Sequence, residues 1–163
     1  MATQQKISPC LWFDGQAEAA ARFYTAVFPN SRIDHITRSS ADYPGGKTGD
    51  VLFVEFTLAD LSYQALNGGQ HDVFNDAISL SVTCQDQAEV DRIWDALTAD
   101  GGKPVQCGWL KDKYGVSWQI VPQALVAMLR DKDAQKSKRA MAAMMQMVKL
   151  DIAMLQKAFD AAD

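Results

Sequence analysis

A chain of 163 residues, 48% hydrophobic and 22% charged, has the size and make-up of one globular domain with a proper core. Its net charge of −4 argues against nucleic acid or an anionic membrane as a partner, since either would need a basic patch. No apolar run is long enough to span a bilayer and no charged start precedes an apolar stretch, so cytoplasm is the expected location.

Residues 7–13, ISPCLWF, read as a strand stopped by Asp14-Gly15. A helix follows from Gln16 to about Phe28, with Ala19, Ala20, Phe23, Val27 and Phe28 on its apolar face. Ile33–Arg38 is a short strand, and SSADYPGGKTGD is a loop. DVLFVEFTLAD is a strand with LSYQALNGG as its hairpin partner. AISLSVTC is the next strand, and QAEVDRIWDALTAD a helix that buries Val90, Ile93, Trp94 and Leu97. PVQCGWLK and VSWQIVP supply strands around a turn at Lys113–Gly115. From about Gln123 the tail differs: a short helix at Ala124–Leu129, a polar break DKDAQKSK, then helical spacing of Met141, Met144, Met145, Val148, Ile152, Leu155 and Phe159. That stripe is wider than packing on one sheet needs, so a homodimer is expected.

The order strand–helix–strands occurs twice. Gln16-Ala17-Glu18 opens the first helix and Gln87-Ala88-Glu89 the second, each with an aromatic five positions after its Glu, which points to internal duplication. Strand parity then sorts the faces. Glu55 and Thr57 oppose Leu52, Val54, Phe56 and Leu58; Ser79 and Ser81 oppose Ile78, Leu80 and Val82; Ser117 and Gln119 oppose Trp118 and Ile120. If these mixed faces line one concavity, Glu55, Ser79, Ser81, Ser117 and Gln119 converge in it, with Phe53 on the same side. The alternative is a sheet face that simply meets water.

Cys10, Cys84 and Cys107 are odd in number and lack CxxC spacing, so neither a disulfide framework nor a zinc knuckle is indicated. His35 and His71 fall in segments read as edge strand or loop, which argues against a Cys/His or Ser/His catalytic pair.

The segments ISPCLWFDGQAEAAARFYTAVFPNSRI, AISLSVTCQDQAEVDRIWDAL and CGWLKDKYGVSWQIVP resemble the PhnB-like branch of the glyoxalase/vicinal-oxygen-chelate superfamily, a branch labelled 3-demethylubiquinone-9 3-methyltransferase. The resemblance is read over nearly the whole chain, tail included. It implies an α+β fold of two βαβββ modules whose mixed sheet curls into a cleft, with a C-terminal helical tail. The expected organisation is a single domain over 1–163: module one about 5–70, module two about 75–122 and the tail about 123–163. The label's methyl transfer is not expected, since Gly15 stands alone after the first strand and no glycine-rich cofactor turn occurs. The superfamily's metal ligands would fall at about Pro9, Glu55, Ala77 and Gln119; proline and alanine offer no side-chain donor, so no metal and no cofactor is expected. Three functions remain open. One is metal-free binding or sequestration of a small molecule, with Trp12, Phe53, Ser79, Ser81, Trp109, Tyr114, Ser117 and Gln119 as lining residues. The second is an enzyme with Glu55 as general base, against a Glu55 that is merely solvated or salt-bridged. The third is a dimeric scaffold without a ligand.

Overall fold

The computed structural model describes residues 5–161. It divides into two units, one up to Phe74 and one from Asn75 onward.

In the first unit β1 (Cys10–Phe13) leads into α1 (Ala17–Val27), then β2 (Arg32–Arg38), β3 (Val51–Leu58) and β4 (Leu61–Asn67). The sheet order is β1-β4-β3-β2, with β1 parallel to β4 and the other pairs antiparallel. Alternation along β3 sends Val54, Phe56 and Leu58 to the core, where α1 packs. The buried face of α1 is Ala17, Ala20, Ala21, Tyr24 and Val27. Ala19 is exposed and Phe23 only half-buried, so the helix is turned from the expected face. Tyr24, fully buried against Phe56, decides that rotation because it has more surface to remove from water than an alanine. Gly68 follows β4 under the Trp12 indole; a Cβ there would lie 2.1 Å from the ring.

The second unit repeats the plan. β5 (Leu80–Cys84) is followed by α2 (Gln87–Thr98), β6 (Lys103–Pro104), β7 (Trp109–Lys111) and β8 (Ser117–Pro122), in the order β5-β8-β7-β6. Asp86 caps α2 by accepting from the Glu89 N–H, and Val90, Ile93, Trp94 and Leu97 form its buried face as the spacing requires. The β7–β8 turn is held by Asp112. Its Oδ1 accepts the Tyr114 and Val116 N–H groups and its Oδ2 accepts the Trp118 indole N–H. This carboxylate is buried and serves as a turn support.

The tail is three helices, α3 (Gln123–Leu129), α4 (Ala134–Met144) and α5 (Ile152–Asp160). Two expectations are corrected here. Most of the polar stretch DKDAQKSK is the start of α4, capped by Asp133, and the apolar spacing from Met141 to Phe159 is not one helix. The chain leaves α4 after Met144, buries Met147 and Leu150 from a loop, and restarts at the Asp151 cap. Leu125, Met128, Ala140, Met147, Leu150 and Leu155 form the tail's own core. The loop also pairs with the stretch before β7: Cys107 and Gly108 donate N–H bonds to Met147 and Val148 carbonyls, both 2.8 Å. Gly108 sits at φ +81, where a Cβ would meet Ile120 O at 2.8 Å and Leu150 Cδ1 at 2.9 Å.

Pro9, Ala77 and Ile78 lie outside the strands they were expected to join, and Ile78 is 77% exposed. Ser79 precedes β5 as well.

Candidate functional site

Because residues paired across strands share a face, register converts each sheet into rows. On the face of the first sheet away from α1, Cys10, Gln64, Glu55 and His35 form one row. Trp12, Leu66, Phe53 and Thr37 form the next, a mainly apolar strip beside a polar one. Arg32, Thr57 and Ser62 form a third. Glu55 is exposed, so the sheltered carboxylate that a general base calls for is not evident in its burial. A groove of about 630 Å³ runs along this side, lined by Arg32, Asp34, Glu55, Thr57, Ser62 and Gln64 among others. Asp34 is the extra residue of a bulge in β2: its Oδ1 takes the Arg32 guanidinium at 2.7 Å, and its Oδ2 accepts the Thr57 hydroxyl at 2.6 Å. Trp12 is half-buried, and its indole N–H is spent on the Gly69 carbonyl at 2.8 Å.

On the second sheet Ser81, Gln119 and Trp109 make one row, and Ser117, Lys111 and Lys103 the next. Gln119 donates through Nε2 to Ser79 Oγ at 2.8 Å. Ser117, buried, donates its hydroxyl to Asp76 Oδ1 at 2.9 Å, and Lys111 Nζ reaches the same oxygen at 3.0 Å. Those bonds, Lys111 first and Ser117 second, hold the Asp76 carboxyl below the usual carboxylate range. Tyr114 belongs to the Asp112-supported turn. The structure thus groups Trp12, Phe53 and Glu55 on one sheet face, and Ser79, Ser81, Trp109 and Gln119 on the other, with Ser117 in the adjoining row.

The two sets of rows correspond position by position. Gln64 faces Cys10 across parallel strands as Gln119 faces Ser81. Glu55 stands where Trp109 stands, and Arg32–Thr57–Ser62 where Lys103–Lys111–Ser117 stand. The duplication therefore places Gln64, and not Glu55, at the counterpart of Gln119. Sequence reasoning missed Gln64, Lys111, Asp34 and Asp76; the GlnAla pairing inside LSYQALN was its one available signal, matching GlnIle in VSWQIVP.

The donors at the paired positions are one thiol, one hydroxyl and two neutral amides. Desolvation raises the Cys10 pKa, which disfavours the thiolate that a metal would need. Among the described residues no three His, Cys, Asp or Glu side chains are grouped as a metal site. This donor set does not fit a tight divalent centre.

The sequence profile of the family described as 3-demethylubiquinone-9 3-methyltransferase matches residues 5–121. The chain belongs to that family, the PhnB-like one. The match ends in β8, so it does not reach the helical tail, contrary to the wider resemblance read from the sequence. Among solved structures, the PhnB protein from Bacillus cereus is 37% identical, with a TM-score of 0.66 over 72% of this chain and 99% of its own. A protein from Pseudomonas aeruginosa is 18% identical, with a TM-score of 0.58 over 73% of this chain and 98% of its own. The fosfomycin resistance protein FosX from Mesorhizobium loti is 12% identical, with a TM-score of 0.50 over 71% of this chain and 88% of its own. The last two show the fold alone. No curated protein matches the sequence. The mixed α+β architecture is that of the glyoxalase/vicinal-oxygen-chelate fold, and no helix among the described residues is long and apolar enough to cross a membrane.

Proposed function

We propose that the protein binds a small polar-aromatic molecule on its sheet faces without a metal. The observation that supports this reading is the pairing of Gln64 with Cys10 and of Gln119 with Ser81. Both modules keep a neutral amide, able to donate and accept, beside a large apolar residue: the Trp12–Leu66–Phe53 strip in one, Trp109 in the other. Methyl transfer has no support in the residues, because the turn after β1 offers only Gly15 in place of a glycine-rich cradle. Native mass spectrometry of the purified protein, with elemental analysis of the same sample, tests the reading. A bound organic molecule with substoichiometric metal is expected. About one equivalent of a transition metal, lost in the Gln64→Ala and Gln119→Ala variants, would overturn it.

A second reading keeps Glu55 as a general base. It is favoured by the placement of that carboxylate between His35 and Gln64 on the groove side. Turnover of any ligand found by mass spectrometry, lost in Glu55→Gln with binding retained, is its signature. We infer also that the protein pairs as a homodimer through apolar residues the tail leaves exposed, Met141, Met145, Val148 and Met154. A wild-type monomer in light scattering at micromolar concentration would exclude that assembly.

A further inference from the structure

The equivalent rows Arg32–Thr57–Ser62 and Lys103–Lys111–Ser117 each carry a carboxylate, but from different sources. In the first sheet it is Asp34, a bulge residue held within β2 itself. In the second it is Asp76, which comes from the segment ahead of β5 and is exposed. That segment reaches the sheet through the side chains of Asp76 and Ser79. Its Asn75 Oδ1 accepts the Ala77 N–H at 2.9 Å, which fixes a local turn. Its side-chain bonds to the sheet go to Lys111, Ser117 and Gln119, all on the face described above. One carboxylate oxygen thus sits where a lysine ammonium and a buried hydroxyl converge, with Lys103 next in the row.

A carboxylate in such a place shows what the place recognises: a small anion held by an ammonium and by a hydroxyl donor. What adjoins it is aromatic. Trp109 and Lys111 are two residues apart on β7 and face the same way, which separates them by about 6–7 Å. That is the reach of a carboxyl group joined directly to a ring, with the ring laid against the half-buried indole.

We propose that the second sheet binds a small aromatic carboxylate, its carboxyl group on Lys111 and Ser117 and its ring on Trp109, and that Asp76 is an internal plug which the ligand displaces. The proposal rests on the reading of the sheet faces as ligand surfaces and names the chemical class for one of them. Asp34 is part of its own strand and has no such freedom, so the first sheet lacks this site.

Benzoate titrated into the full chain, followed by calorimetry and by indole fluorescence, tests it. Asp76→Ala removes the plug and leaves both donors, so it binds benzoate about tenfold more tightly than wild type. Lys111→Met in the Asp76→Ala background loses that gain, and acetate, lacking the ring, binds more weakly than benzoate. The proposal is overturned if wild type and Asp76→Ala bind benzoate equally or not at all, or if Lys111→Met leaves binding unchanged. Circular dichroism of each variant separates lost binding from lost folding, and Ser117→Ala with retained fold serves as a second donor variant. A failure here together with an organic molecule found by native mass spectrometry refutes the plug and its ligand class while the wider binding reading stands.

Discussion

The two sheets share one register and fill it differently. Where the first places Glu55, Thr57 and Arg32, the second places Trp109, Lys111 and Lys103. One face therefore sets a carboxylate and a guanidinium beside an apolar strip, the other two lysines beside an indole. The supports differ as well. The hairpin of the first unit turns through Ala59 and Asp60 at φ +46 and +67, the left-handed pair of a two-residue turn, while the second unit uses the buried Asp112 carboxylate. The second unit is also braced by the tail, through the Met147 and Val148 carbonyls and through Gln87, which donates to the Leu150 carbonyl and accepts the Ile152 N–H. A duplicated backbone thus fixes where side chains stand, and leaves their chemistry and bracing free to diverge.

The largest expected effect comes from breaking the brace. Leu150 is buried at the heart of the tail core and next to Gly108. Leu150→Ala should cost about 3 kcal/mol by lost burial and the cavity left behind. Hydrogen exchange should show β5–β8 losing protection while β1–β4 keep theirs. Equal loss in both sheets would show that the units unfold as one.

Asp112→Ala strands two backbone N–H groups and one indole N–H, and should destabilise by about 2–3 kcal/mol in denaturant titration. Ala59→Gly should act the other way, by about 1 kcal/mol, because glycine accepts a left-handed conformation that a Cβ resists. If Ala59→Gly destabilises instead, the turn is not held as described.

Much of this was legible in the sequence, for reasons that can be named. The α2 face followed from Val90, Ile93, Trp94 and Leu97, four large apolar residues whose spacing admits one orientation. The α1 face was misread because alanines at 17, 19, 20 and 21 carry almost no directional signal. The break between α4 and α5 was hidden because Met147 and Leu150 keep helical spacing while buried from a loop, without a glycine or proline to mark the stop; Asp151 before Ile152 was the missed cap. Strand parity gave the faces of Gln119 and Ser117. Parity cannot give register, and register is what pairs Gln64 with Cys10 and exposes the correspondence between the sheets. Asp76 and Asp34 escaped because a loop and a bulge have no periodicity to read.

A smaller effect separates the thiols. Desolvation raises both thiols, Cys84 up to about 12, but Cys10 is exposed on β1 and open to a reagent while Cys84 is buried. Iodoacetamide at pH 8 should alkylate Cys10 in the native protein and leave Cys84 until the second unit unfolds. Labelling of Cys84 at the same rate as Cys10 would contradict its packing under α2.

The smallest effect is electrostatic and again concerns the brace. Lys149, in the tail loop, reaches Asp91 of α2 at 2.9 Å and Asp95 at 3.6 Å. The bond to Lys149, and then that to Gln87, holds the Asp91 carboxyl below its ordinary value of 3.8. A group depressed in this way adds stability above its unfolded pKa, and that stability is lost as pH falls through the folded value. Asp91 raises Lys149 above 10.5 in return, so the lysine's share is present below 10.5 and lost as pH rises through the folded value. Both signs give a plateau between the ordinary carboxylate range and the ordinary lysine range, with losses at each edge. The pair is half-exposed, so the contribution is small and falls further with salt. Wild type minus Lys149→Met, melted across pH 2–11 at low ionic strength, should show that plateau and both edges. A difference that is flat with pH would mean that the lysine stem packs the loop on α2 and its charge does not.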